Sequence, residues 1–142
     1  MRRIDVYSRA MWLAVSIGLL MGCSATDVFS PEVKQERRMK EQTQGMLDEI
    51  LASGKPQGFD EIDVSVKVAG HFPVGTPKAE VMHAFGDVEG ALIYEKDPDA
   101  LTVRYDRGKA MMDVDPRTIV MKFAFDPSGA LISVHAVHVK NQ

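Results

Sequence analysis

The stretch from Thr118 to Val139 constrains the fold of this chain more than any other. Ile119, Met121, Phe123 and Phe125 share one side of an alternating segment, the period of a strand with one buried face. Asp126-Pro127-Ser128-Gly129 follows, a type I turn whose glycine takes the left-handed position. Leu131 to Val139 then returns as the hairpin partner. A lone hairpin is marginal in water, so its apolar side must be covered by other parts of the chain.

Helical periods lie upstream. Ser30-Pro31-Glu32 reads as a helix start, with a hydroxyl N-cap, proline in the first position and an acid in the first turn. The helix is expected to run to Ser53, with Gly54 as its left-handed stop and Pro56 just beyond. Met39, Met46, Leu47, Ile50 and Leu51 fall on one face and thicken toward the C-terminal end, so the back half docks on a core. The front half, Lys34 to Arg38, is nearly all polar and reads as a solvated face. Lys55 to Asp60 is a linker. Ile62, Val64, Val66 and Val68 alternate with Asp63, Ser65 and Lys67, a strand period or an extended lead-in. A second helix is expected from Thr76-Pro77, again N-cap then proline, to Gly86, with Val81, Met82 and Phe85 as its apolar face. Ala91 to Tyr94 and Leu101 to Tyr105 read as short strands, and Arg107 to Arg117 as a loop with Gly108 and Pro116. The expected class is α+β: two N-terminal helices followed by a small antiparallel sheet of three to four strands, ending in a hairpin. Residues 31–142 form one domain on this reading.

The first thirty residues read differently. Arg2, Arg3 and Arg9 precede the run Ala10 to Gly22, whose one polar residue is Ser16. A basic start, a short apolar run and a small-residue exit make a secretory signal, and the run is too short for a comfortable transmembrane helix. Leu20-Met21-Gly22-Cys23 resembles the lipobox of bacterial lipoproteins, which implies cleavage after Gly22 and lipid attachment, palmitate included, at Cys23. The same thiol is the only one in the chain, so no internal disulfide is available to it. A buried structural cysteine is the blander alternative. Removing residues 1–22 takes three arginines and one aspartate away, so the net charge moves from −3 to −5. An acidic body stands off an anionic membrane, which leaves anchoring to the lipid. Ser24, rather than an aspartate, follows the cysteine; by resemblance to sorting in enteric bacteria this implies the periplasmic face of the outer membrane. Residues 23–30 then form a tether.

Two further segments carry a family resemblance. Gly75-Thr76-Pro77-Lys78-Ala79-Glu80-Val81-Met82-His83-Ala84-Phe85-Gly86 is similar to the Gly-x-Thr-x-x-x-Val-x-x-x-Leu-Gly segment of the SmpA/OmlA, or BamE-like, outer-membrane lipoproteins. Phe123 to Leu131 resembles that family's final aromatic-Asp-x-x-Gly-x-Leu hairpin. Pro77 stands where the family has its threonine cap, and Gly86-Asp87-Val88 replaces its Gly-x-Pro. The resemblance implies protein binding in the cell envelope, as an accessory of outer-membrane β-barrel assembly or envelope integrity. The alternative reading is a periplasmic inhibitor or ligand-binding lipoprotein with the same inhibitor-like fold. A peptidoglycan-binding role is a third, with no sequence feature behind it.

The chemistry-bearing residues give no enzymatic set. No nucleophile, base and orienter come together, no phosphate loop is present, and no cofactor is expected. His135 and His138 lie three apart on a strand and so point to opposite faces; His71 and His83 stand alone. Asp97 with Asp99, and Asp113 with Asp115, are too few oxygens for a calcium site and read as turn residues. A net charge of −3 gives no pull on nucleic acid. Candidate partner contacts are Tyr94, Arg104, Tyr105 and the loop Arg107 to Arg117, Arg107 and Lys109 included; the competing reading makes both tyrosines half-buried sheet residues.

Overall fold

The computed structural model describes residues 31–109 and 111–140. Helix α1 (Pro31–Ser53) leads to strand β1 (Glu61–Asp63), then to helices α2 (Ser65–His71) and α3 (Lys78–Gly86). Four strands follow: β2 (Ala91–Asp97), β3 (Ala100–Arg107), β4 (Arg117–Phe125) and β5 (Leu131–Lys140). They form one antiparallel sheet in the order β1-β5-β4-β3-β2. The class is α+β.

The hairpin at the heart of the sheet follows its sequence signals. Asp126 Oδ1 accepts hydrogen bonds from the Ser128 hydroxyl at 2.6 Å and from the Ser128 and Ala130 amides at 2.8 and 3.0 Å, and these, the hydroxyl above all, hold its carboxyl below the usual range. Gly129 has φ +82°, a conformation that costs a side-chain-bearing residue about 1–2 kcal/mol. Alternation then puts Ile119, Met121, Phe123 and Phe125 of β4 on one face, with Leu101 and Val103 of β3 and Ala136 of β5, all 3% exposed or less. The three helices pack on this inner face. Met46, Leu47, Ile50 and Leu51 of α1 are buried in the same cluster as Val81 and Phe85 of α3. Phe72, just past α2, stacks edge-on against Phe123 at 5.7 Å, and Phe85 meets both rings at 5.5 and 6.0 Å. Truncating a ring in such a cluster costs about 3–5 kcal/mol.

Four expectations are corrected. The alternating segment from Ile62 to Val68 is not one strand. It breaks after Asp63, whose Oδ1 accepts the Ser65 amide at 2.8 Å and starts α2. Val64 and Val68 are buried because they are four apart on a helical turn, while Val66 is 87% exposed. Among the described residues the count is therefore three helices and five strands, not two and three to four. Gly54 does not take a left-handed conformation; glycine fits there because an added Cβ would lie 3.2 Å from Ile62 Cδ1. Thr76 does not cap α3. Its hydroxyl donates to Pro73 O at 2.7 Å, and the cap position passes to Pro77, in extended conformation and bridged to Ala130. Signal, cleavage motif and Cys23 lie outside the described residues.

Candidate functional site

All three helices of the described residues lie on the inner face, and none of these residues gives the outer face helical cover. Leu92 and Tyr94 of the edge strand β2 project from it and are 50% and 52% exposed. Arg104 lies directly across from Leu92 on β3, half-exposed, and its Nε donates to both oxygens of Asp106 at 3.0 Å. Thr118 Oγ1 donates to Asp106 Oδ1 at 2.5 Å, so the carboxylate is held from both sides. Arg104 is thereby a fixed fork rather than a swinging charge.

At the end of the sheet where β2 begins and β3 finishes, an open groove of about 1130 Å³ lies between Gln44, Gly90, Tyr105, Arg107, Lys109 and Met112. Gly90 has φ +86°, and a Cβ there would come within 2.8 Å of Asp106 O, so glycine alone lets the two strands close at this point. The loop beyond Arg107 is closed on itself. The Met112 and Asp113 amides both donate to Lys109 O at 3.0 Å, and the Asp113 carboxylate accepts the Lys109 amide. Met111 sits at φ +68° within this turn, an unusual conformation for a side chain of its size. The loop's far root is rigid. Arg117, 4% exposed, donates to Leu51 O at 2.6 Å and pairs with Asp115, whose carboxyl it lowers to about 2.

Of the residues singled out by sequence, Arg107 and Lys109 line the groove together, while Tyr94 and Arg104 lie on the outer face. Tyr105 departs from expectation. It is 7% exposed and belongs to the core, because its strand parity matches Leu101 and Val103. The histidines stay apart: His138 is fully buried, His135 is exposed, and His83 Nε2 lies 3.3 Å from Glu36 Oε1. Among the described residues no group of three or more His, Cys, Asp or Glu side chains is placed to hold a metal. No helix among them is long and apolar enough to cross a membrane.

Sequence reasoning placed Met111, Met112 and Val114 in the candidate contact loop Arg107 to Arg117 without singling out their side chains, and it missed Phe59. Phe59, Met111, Met112 and Val114 are 91%, 101%, 79% and 102% exposed. A short apolar pair inside a loop carries no period, so nothing in the sequence separates a buried loop plug from a protruding tip. Asp106 was missed as well, since its role depends on Arg104 and Thr118 arriving from two strands.

A family profile described as "Family of unknown function (DUF6393)" matches residues 47–142, from the buried half of α1 to the C-terminus. No curated protein matches. Among solved structures, "The thermo- and acido-stable ORF-99 from the archaeal virus AFV1" is similar with a TM-score of 0.36 and 7% identity, covering 77% of this chain and 97% of that one.

Proposed function

The chain belongs to the DUF6393 family of unknown function, and from that premise we propose that it is a non-enzymatic, lipid-anchored envelope protein whose sheet binds protein partners. The supporting observation is the one-sided packing: three helices cover the inner face, and Leu92 and Tyr94 stand half-exposed on the other. Aromatic and aliphatic side chains left at the edge of a sheet are the usual anchors of strand addition or face-to-face docking. Arg104, fixed by Asp106, supplies a directed polar contact beside them. Lipid on Cys23 holds the domain near membrane-embedded partners and raises their effective concentration. The resemblance to SmpA/OmlA lipoproteins directs the choice of partner to the outer-membrane barrel-assembly machinery.

The test is a pull-down. A C-terminally tagged chain is recovered from gently solubilised membranes beside Cys23→Ala and Leu92→Asp/Tyr94→Asp chains. Barrel-assembly subunits are expected with the unaltered protein, reduced with Cys23→Ala and lost with the double aspartate. Equal recovery from all three chains rejects the reading. Recovery of one soluble periplasmic protein instead favours the inhibitor-like alternative.

A further inference from the structure

We propose that the end of the sheet carrying Phe59 and the loop 108–116 is a membrane-contacting end, whose apolar side chains enter the interface of a phospholipid bilayer. The two loops meet there because of the strand register. Lys140, at the end of β5, pairs with Arg117 on one side, and its neighbour Val139 pairs with Glu61 on the other. Phe59 precedes Glu61 by two residues, and Val114 precedes Arg117 by three. Four of the most exposed apolar side chains of the described chain therefore project from one end: Phe59, Met111, Met112 and Val114.

The tips are held out by construction. The turn from Lys109 to Asp113 is closed by its own hydrogen bonds, and Pro116 and Arg117 are buried at its root. Gly108, φ +78°, lies so close to Asp113 that a Cβ would stand 2.9 Å from its Oδ2. A left-handed Met111 persists only because this turn over-determines it, and such conformations cluster where a surface is used.

A bilayer fits these tips better than a shaped protein pocket. They come from separate loops and face different surfaces, Met112 the groove beside Gln44 and Lys109 and Phe59 the end of β5, so they do not converge on one pocket; a fluid interface needs no such convergence. Exposed Arg107, Lys109 and Lys140 stand behind the tips and make no ion pair among the described residues, the position where long cations meet headgroup phosphates. The loop's acids are exposed but engaged within the protein, Asp113 by the Lys109 amide and Asp115 by Arg117 and Lys55. Asp60, Glu61 and Glu89 lie at the margin, so apolar insertion, with cations matched locally to phosphate, outweighs the acidity of the chain as a whole.

The course of α1 agrees with this orientation. Gln44 lines the groove with Lys109 and Met112, and Leu51 O bonds Arg117, so the helix passes this end. Thirty residues precede Pro31. The eight from Cys23 to Ser30 span at most about 28 Å, and α1 from Pro31 to Gln44 runs about 20 Å. A lipid on Cys23 and the loop tips thus reach one bilayer. This reach rests on the lipid-anchored reading; the tips do not.

The test uses the full-length chain with one tryptophan. Trp12→Phe removes the native indole, and Met112→Trp, Phe59→Trp or Val74→Trp places one at a chosen site. Val74 is exposed at the opposite end of the sheet, beside Gly75, which bonds Leu131 O. Each chain is mixed with phosphatidylethanolamine/phosphatidylglycerol vesicles containing brominated acyl chains, and palmitate labelling is read on the same samples. Blue-shifted emission and several-fold stronger quenching at 112 and 59 than at 74 are expected. Equal quenching at the three sites overturns the proposal. So does quenching absent from protein-free vesicles while a photo-crosslinker at 112 captures a protein in native membranes. Labelled but unquenched chains reject this end alone; quenched but unlabelled chains reject the anchor alone.

Discussion

His138 and Arg117 are the two polar residues on which the interior depends most. His138 is fully buried opposite Ile119 and Ile62, and neither ring nitrogen has a hydrogen-bond partner among the described residues. Burial holds its pKa below 6.5, and the nearby Arg117 guanidinium pushes the same way against a smaller opposing pull from Asp115. The unfolded chain then takes up a proton that the folded chain refuses. Stability is full above the unfolded value near 6.5 and is lost as pH falls from there toward the folded value. Urea midpoints at pH 7.5 and 5.5 should differ for the natural chain and differ less for His138→Leu; an unchanged difference would place the acid sensitivity elsewhere. Arg117 is a second fixed point, since it satisfies a carbonyl of the last turn of α1. Arg117→Ala should cost about 2 kcal/mol or more by orphaning Leu51 O and losing packing, measured as a lower urea midpoint. The Asp115 share of this pair persists above pH 3.8 and disappears as pH falls toward 2, because its folded pKa is depressed.

At the scale of elements, the segment from Ile62 to Phe72 shows how a period can mislead. Apolar residues at 62, 64, 66 and 68 satisfy a strand template over seven residues. The pair 64 and 68 also satisfies a helix, and the burial of Val64, Val68 and Phe72 obeys the second pattern. Ser65 decides between them. Its amide is bound by Asp63, and its Oγ accepts the Ala136 amide at 2.9 Å, so β1 ends where α2 begins. Val66→Asp should change stability by less than about 0.5 kcal/mol, whereas Val68→Asp should prevent folding, as judged by chemical denaturation. Similar losses at both positions would restore the strand reading.

For the whole molecule, the division of labour is between a covered sheet face, a bare one and an apolar end. Of the contacts expected from sequence, Tyr94, Arg104, Arg107 and Lys109 reach that surface and Tyr105 does not, and nothing along the chain said that the four split between two regions. The loop tips are predicted to be dispensable for folding, since its roots at Pro116 and Arg117 are buried while residues 111–114 are exposed. Replacing residues 109–114 with Gly-Ser-Gly should keep the circular dichroism spectrum and move the melting temperature by only a few degrees. A large drop would mean that the loop packs.

The sequence by itself determined the elements whose signals are local. The final hairpin, the extent of α1 and the body of α3 follow from alternation, helical spacing and turn residues that act within about ten positions. Tertiary structure alone decided the rest. The end of β1, the burial of His138, and the convergence of Phe59 with Met111, Met112 and Val114 depend on residues far apart in the chain. Asp106 gathers Arg104 and Thr118, and Ser65 meets Ala136 across 71 positions. Exposure is a property of what packs against a side chain, and no pattern read along the chain contains it until the sheet order is known.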